Sequence, residues 1–436
     1  MGIKILCDDI RSVVRACLDA NEPVEEPVRV AVCYDEPKYE HSTRSASYTR
    51  ADFVVVDFML HVYSAKRPLE RETGASLIAH IFNTLVRPAL EGKQTLALVF
   101  DNSQKVPSCK AATQMKRRRT KPCVPEDMPI GDDCAIEYKD WYNLLSTSRV
   151  RARLMEYILH GLSRAISQFT EGAEECYGIV YASAPWRSTC SYGEPRFVSG
   201  AFLELTHRGA PLPPESAQGE GDLLCKVFSD FLFKQPGNET GVVASKDLDM
   251  LGIYACTPSE GRVLLHITTR DLGGRRHYGF VDVCVLWRYV FQNSALRGMH
   301  FALALVLAGS DFCEGVRGID GLRILRAALG LRPAADPAKR SNPAQPVFFD
   351  DARLMVTGDC NHPCIRQKRM ERILCTASSR PGFVFTQPYM LRRASWNILY
   401  WSNLGHIPSP EKAAAWERDA KGAYMPIEDI CRKRKR

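Results

Sequence analysis

The stretch Phe53–Asp57, FVVVD, is a run of β-branched residues that ends in an acid. The same pattern recurs at Thr95–Asp101 (TLALVFD) and at Gly241–Ser245 (GVVAS), which Lys246 and Asp247 follow. Continuous apolar segments of this kind are typical of strands in a parallel sheet that is covered on both faces. The three segments therefore predict strands of such a sheet.

Predicted helices separate these strands. The clearest are Thr73–Ala89 and the long segment Ser148–Phe169. Alternation of strands and helices predicts an α/β doubly wound fold with a central, mostly parallel sheet. Three polar or proline-rich stretches, 21–50, 120–145 and 330–350, are predicted to be loops, irregular segments or linkers.

The composition is that of a globular protein with concentrated positive charge. A length of 436 residues suggests two or three structural units, and a hydrophobic content of 45% allows a sizeable core. The net charge of +8 falls to +3 when the five cationic residues of Arg432–Arg436 are left out (8 minus 5). A second basic block runs from Lys105 to Lys121. Such blocks attract polyanions, and the C-terminal run predicts a nuclear localisation signal or a nucleic-acid-binding tail.

Two features that the sequence lacks further restrict the class of protein. No apolar run reaches the about 18–20 residues of a membrane span, so we expect no membrane contact. The 16 cysteines have no regular spacing, which favours free thiols in a reducing compartment.

Acidic residues recur at the carboxyl ends of the predicted strands, where ligands bind in folds of this class. Others open a predicted helix or end an apolar stretch. The seven acids are Asp57, Asp101, Glu220, Asp222, Asp247, Asp249 and Asp311. Seven carboxylates brought together would repel one another, and Mg²⁺ or Mn²⁺ would compensate that repulsion. Two such ions about 3.5–4 Å apart can clamp a phosphodiester.

Other chemistries lack their motifs. No Walker A loop accompanies the acids, which disfavours an ATPase. No G-x-S-x-G sequence or Cys/His pairing points to acyl transfer. The acids therefore predict metal-dependent phosphodiester hydrolysis.

In order and spacing, the blocks around these acids resemble the flap-endonuclease/XPG family of structure-specific nucleases, including its divergent large-DNA-virus members. The resemblance covers roughly residues 1–330. Its blocks are Met1–Ile3, Val56–Tyr63, Val99–Asp101, Glu220–Asp222, Ser245–Leu251 and Gly309–Ile319.

The resemblance implies a domain organisation. Residues 1–300 would form a PIN-like nuclease domain with insertions at 21–50 and 120–218. Residues 301–345 would form a helix–two-turn–helix DNA-binding element. Residues 346–436 would form a mainly helical C-terminal region that ends in the basic tail.

The resemblance also implies roles for individual residues. The seven acids would hold two Mg²⁺ ions, with Mn²⁺ as a possible substitute. Lys110 and Arg117 would steer the scissile phosphate from a helix above the metals. The residues implied to contact DNA are Gly2, Tyr63, Gly315, Arg317, Gly318 and Gly321.

The implied activity is that of a 5′-flap endonuclease or 5′–3′ exonuclease in DNA replication, repair or recombination. Its partner would be DNA with a flap, nick or junction. We expect a monomer located in the nucleus, or in the host nucleus for a viral protein. No sliding-clamp motif is present near the C-terminus.

Two alternatives remain open from the sequence. An mRNA endonuclease of the viral host-shutoff type would use the same scaffold. A junction-binding protein without catalysis would use the same DNA-binding elements, although retention of all seven acids disfavours it.

Overall fold

The computed structural model describes residues 33–35, 50–59, 73–100, 124–135, 144–145, 147–171, 177–183, 197–198, 202–204, 221–245, 247–270, 276–294, 298, 301–302, 305 and 325. In chain order the strands are β1 (Cys33–Asp35), β2 (Phe53–Asp57), β3 (Thr95–Val99), β4 (Val180–Ser183), β5 (Phe197–Val198), β6 (Phe202–Glu204), β7 (Thr240–Ala244), β8 (Arg262–Arg270) and β9 (Arg276–Asp282). The helices are α1 (Gly74–Ile81), α2 (Arg87–Glu91), α3 (Ser148–Thr170), α4 (Gly221–Phe233), α5 (Asp249–Cys256) and α6 (Val283–Val285). The elements fall into two compact units.

The first unit contains six strands in the order β7-β2-β3-β4-β6-β5. The four strands β7, β2, β3 and β4 are parallel, whereas β6 runs antiparallel to β4 and to β5. This arrangement confirms the predicted α/β class and the mostly parallel sheet.

The parallel strands are buried because the chain covers both of their faces. Phe53, Val54, Val55 and Val56 of β2 are each at most 3% exposed. Consecutive side chains of a strand point to opposite faces, so burial of all four requires cover on each side. Gly241 of β7 provides part of the space, since a Cβ there would overlap the Phe53 ring.

The predicted helix Thr73–Ala89 begins one residue later and contains a local irregularity. Thr73 caps α1 because its hydroxyl accepts from the Ser76 amide at 3.3 Å and its own amide donates to the Ser76 hydroxyl at 2.9 Å. A π-helical turn over Phe82–Val86 then leads into α2, which has Pro88 in its first turn. That position tolerates proline, which has no amide hydrogen to donate.

Helix α3 matches the predicted segment Ser148–Phe169 and ends one residue beyond it. It packs closely on α1 at Gly161, where a Cβ would overlap the Ile78 side chain. Strand β4 was not predicted, although its residues lie inside the segment interpreted as an insertion. It pairs with β3 in the parallel sheet.

The second unit contains β1, β9 and β8, in that order and antiparallel throughout. Asp282 ends β9 and caps α6, with its carboxylate accepting from the amides of Cys284 at 3.0 Å and Val285 at 3.2 Å. The indole N–H of Trp287 donates to the Tyr254 carbonyl at 2.8 Å, which ties the following π-helical turn to α5. These antiparallel strands were not predicted.

No helix among the described residues is long and apolar enough to cross a bilayer. The predicted helix–two-turn–helix element lies outside the described residues except for four positions of 301–345, and the C-terminal region 346–436 lies wholly outside them. The predicted domain boundaries stay predictions.

Candidate metal centre

The candidate site lies at the carboxyl end of parallel strands β2 and β7. Val56 of β2 pairs with Ala244 of β7. Asp57 and Ser245 each follow that pair by one residue. The acids that come next, Asp247 and Asp249, therefore leave the sheet at the edge where α/β proteins bind ligands.

Three of the predicted metal ligands lie together. A carboxylate oxygen from each of Asp222, Asp247 and Asp249 lies within 4.8 Å of the other two. Asp249 is buried at 2% exposed and Asp222 is 9% exposed, whereas Asp247 is half-buried. We call these three residues the carboxylate cluster.

Two hydrogen bonds fix the cluster. The Ser245 hydroxyl donates to Oδ1 of Asp222 at 3.1 Å, which joins the start of α4 to the end of β7. Ser245 is itself 1% exposed. The Asp249 amide donates to Oδ1 of Asp247 at 3.1 Å, a local turn that aspartate favours.

Helix geometry also favours negative charge at this point. Asp222 lies in the first turn of α4, and Asp249 is the first residue of α5. The amino-terminal ends of helices carry partial positive charge, which stabilises carboxylates there by about 0.3–1 kcal/mol each. That contribution is smaller than the repulsion of three close carboxylates at low dielectric.

A divalent cation fits the donor set. Carboxylate oxygens are hard ligands that suit Mg²⁺ and Mn²⁺. Oxygens on opposite sides of one Mg²⁺ are about 4.2 Å apart, twice a bond of about 2.1 Å. Ligand atoms that all lie within 4.8 Å of one another are therefore close to the spacing that one ion needs.

The fourth described ligand candidate, Asp57, ends β2 and is half-buried. Among the described residues it is not one of the carboxylates grouped within 4.8 Å. The other predicted site residues lie outside the described residues: Gly2, Tyr63, Asp101, Lys110, Arg117, Glu220, Asp311, Gly315, Arg317, Gly318 and Gly321.

Two buried polar residues had no role predicted from the sequence. Ser245 is one. The other is Lys226, which lies one turn after Asp222 on α4 and is 1% exposed. Its ammonium donates to both carboxylate oxygens of Asp230 at 2.5 Å. The spacing of Asp222, Lys226 and Asp230 at intervals of four residues could have identified Lys226, because such residues share a helix face.

Comparison with known proteins identifies no relative by sequence: neither a protein-family model nor a curated protein matches the chain. Among solved structures, the fold search finds a bacteriophage T5 flap endonuclease in a pseudo-enzyme–product complex with DNA and metal ions. The identity is 9%, the TM-score is 0.33, and the alignment covers 85% of this chain and 98% of that one.

Proposed function

We propose that this protein is a divalent-metal-dependent nuclease that hydrolyses phosphodiester bonds in structured DNA, as a 5′-flap endonuclease or 5′–3′ exonuclease does. The observation that supports the proposal most is the carboxylate cluster, Asp222, Asp247 and Asp249, whose ligand atoms lie within 4.8 Å of one another. The order of acidic blocks in the sequence supports the same function.

The chain's own residues would have distinct tasks. The carboxylate cluster would hold the ion or ions, with Asp57, Asp101, Glu220 and Asp311 as further ligands. When bound, a divalent ion polarises the phosphate and makes water a better nucleophile at neutral pH. Ser245 would keep Asp222 directed toward the ion, because the hydroxyl already occupies one oxygen of that carboxylate at 3.1 Å.

The remaining parts of the proposal concern residues outside the described ones. Lys110 and Arg117 would orient the scissile phosphate. Gly2, Tyr63, Gly315, Arg317, Gly318 and Gly321 would contact DNA, the last four from a helix–two-turn–helix element. The proposal also includes a PIN-like domain and a helical C-terminal region. The protein would be a monomer in the nucleus, with a role in replication, repair or recombination.

The test is cleavage of end-labelled substrates by the wild-type chain and by Asp247→Asn. The substrates are 5′-flap, nicked, bubble and single-stranded DNA, together with single-stranded RNA, each with Mg²⁺ or with EDTA. Asp133→Asn is the matched control, since Asp133 is an exposed aspartate outside the carboxylate cluster. We expect Mg²⁺-dependent cutting of flap DNA at the junction, lost in Asp247→Asn and retained in Asp133→Asn.

Three other outcomes would overturn the proposal in different ways. Cleavage confined to RNA would assign the protein to the mRNA-endonuclease class. Binding of junction DNA without cleavage of any substrate would make it a scaffold. Equal activity of Asp247→Asn and the wild type would remove the carboxylate cluster from the mechanism.

A further inference from the structure

A polar cleft lies between helix α3 and the loop 130–132, in the first unit, and it shares no residue with the carboxylate cluster. Its volume is about 730 Å³, within the range of about 300–1,000 Å³ typical of small-molecule sites. The polar and charged residues in its lining include Asp132, Arg153, Glu156, Tyr157, His160 and Arg164.

Contacts with α1 hold the loop side of the polar cleft in place. The amides of Gly74 and Ala75 donate to the carbonyls of Cys134 and Asp132, each at 3.1 Å. These amides belong to the first turn of α1, where backbone donors have no partner within the helix. Gly74 lacks a Cβ, which would otherwise overlap the Gly131 carbonyl. The loop is thus docked on the helix rather than free to fill the space.

A tyrosine joins the two walls. The Tyr157 hydroxyl donates to Oδ1 of Asp132 at 2.5 Å. Burial raises the pKa of this hydroxyl, and its hydrogen bond to the Asp132 carboxylate raises that pKa further. Tyr157 therefore remains a neutral donor throughout the physiological range, and its ring stays fixed as part of the cleft lining.

Two arginines give the polar cleft an anion-binding character. Arg153 donates to the Glu126 carbonyl at 3.1 Å, an acceptor that carries no net charge. Arg164 is 3.4 Å from Asp132, and these two side chains are 63% and 51% exposed. An exposed pair of that length is worth little, about 0–1 kcal/mol, so Asp132 holds the Arg164 side chain only weakly.

Helix geometry places these groups in a row. Arg153, Tyr157, His160 and Arg164 are spaced by four, three and four residues along α3, which puts them on one face. At about 1.5 Å per residue, the row is about 16 Å long. It presents a cation at each end and aromatic rings between them.

The mixture of charges restricts the ligand. A lone phosphate would leave most of a 730 Å³ cleft empty. A continuous run of phosphates would meet the carboxylates of Asp132 and Glu156. A ligand with one phosphate and one amino-bearing ring satisfies both kinds of group, because arginine pairs with phosphate, tyrosine stacks on bases and glutamate accepts from exocyclic amino groups.

We propose that the polar cleft binds a nucleotide, with Arg153 on its phosphate and Tyr157, one turn further along α3, against its base. The nucleotide is either a free nucleoside monophosphate or one residue of a nucleic-acid strand. The proposal does not depend on metal binding or on cleavage, because none of its residues belongs to the carboxylate cluster.

The test is isothermal titration in EDTA, which keeps divalent ions out of the measurement. The probes are dCMP, deoxycytidine and inorganic phosphate, titrated into the wild-type chain, Arg153→Gln and Arg151→Gln. Arg151 is the matched control because it lies on the same helix but does not line the cleft. Competition by a short oligodeoxycytidylate then distinguishes a free nucleotide from one residue of a nucleic-acid strand.

We expect dCMP to bind more tightly than deoxycytidine or phosphate. Arg153→Gln should weaken dCMP binding by about tenfold, the effect of losing one charge-assisted hydrogen bond, and Arg151→Gln should leave it unchanged. Displacement of dCMP by the oligonucleotide would assign the cleft to a strand, and its absence would assign it to free nucleotides. Failure of dCMP to bind, or equal weakening by both variants, would overturn the proposal.

Discussion

Replacing Ser245 with alanine tests the proposed metal centre without removing a ligand. The Ser245 hydroxyl donates to Oδ1 of Asp222 at 3.1 Å, and both residues are at most 9% exposed. Alanine deletes this donor and leaves all three carboxylates in the chain. Its effect on metal affinity therefore measures how far the orientation of Asp222 matters.

The expected magnitude follows from two independent estimates. A hydrogen bond to a charged group contributes about 1.5–3 kcal/mol. Loss of a residue that orients a metal ligand typically lowers affinity by about 10–100-fold, which corresponds to about 1.4–2.8 kcal/mol. The two agree, so Ser245→Ala should raise the Kd for Mn²⁺ by about 10–100-fold.

The assay is the rise in melting temperature as Mn²⁺ is added, since a ligand that binds only the folded state stabilises it by an amount set by its concentration relative to Kd. Ser229→Ala is the matched control. Ser229 is also fully buried on the helix that carries Asp222, and its hydroxyl donates to the Lys226 carbonyl at 2.9 Å. Both variants lose a buried serine, but only one loses a contact with the carboxylate cluster.

Two results would refute this reasoning. If Ser245→Ala and Ser229→Ala respond to Mn²⁺ at the same concentrations as the wild type, Ser245 does not orient a ligand. If the wild type itself shows no stabilisation by Mn²⁺ or Mg²⁺, the carboxylate cluster is not a metal centre.

Three further predictions concern stability and reactivity. Gly178→Ala should destabilise the fold by about 1–3 kcal/mol in urea denaturation, because a Cβ would overlap the Gln94 carbonyl oxygen; an unchanged midpoint would contradict that overlap. Cys256 should resist iodoacetamide at pH 8 until the protein unfolds, as judged by peptide mass spectrometry, since complete burial raises the pKa of its thiol and suppresses the reactive thiolate. Labelling of the native chain would show that this burial is not maintained. Asp230→Asn should lower the unfolding midpoint more than Lys226→Met does. The Lys226 side chain is 2% exposed and that of Asp230 is 33% exposed. Removing the carboxylate therefore leaves the more deeply buried charge without its counter-ion in this pair. The reverse order would mean that the Lys226 ammonium is stabilised mainly by other groups.

The strands of the parallel sheet were predictable because their residues have no polar face. β2 occupies Phe53–Asp57 as predicted, and β7 begins one residue before the predicted Gly241. A strand buried on both faces is an uninterrupted apolar run, which stands out from its surroundings. By contrast, the π-helical turn at Phe82–Val86 leaves the helical spacing of apolar residues nearly unchanged and could not be foreseen.

The antiparallel strands were harder to recognise for a different reason. In β8, Val263, Leu264 and Leu265 are at most 5% exposed, and His266 is 9% exposed. A strand that faces water on one side would show alternation of apolar and polar residues, but these side chains are buried on both sides. His266 interrupts the apolar run after the three residues Val263–Leu265, so the pattern of a strand buried on both faces was also weak.

The convergence of three acids was predictable from the sequence, whereas the contacts that support them were not. Asp222, Asp247 and Asp249 were expected to converge because each lies where a strand ends or a helix begins, and in the structure they do lie together. The contact between Ser245 and Asp222 joins residues 23 positions apart. It depends on how α4 packs beside β7, which no local pattern encodes.

The pairing of β2 with β7 has a consequence for how the protein folds. Phe53 pairs with Gly241, 188 residues later in the chain (241 minus 53). Closing so long a loop is entropically unfavourable, and contacts of high sequence separation tend to slow folding. An amino-terminal fragment that stopped short of residue 240 would retain β2, β3 and β4 but would have neither Asp247 nor Asp249. Such a fragment would therefore contain only Asp222 of the carboxylate cluster.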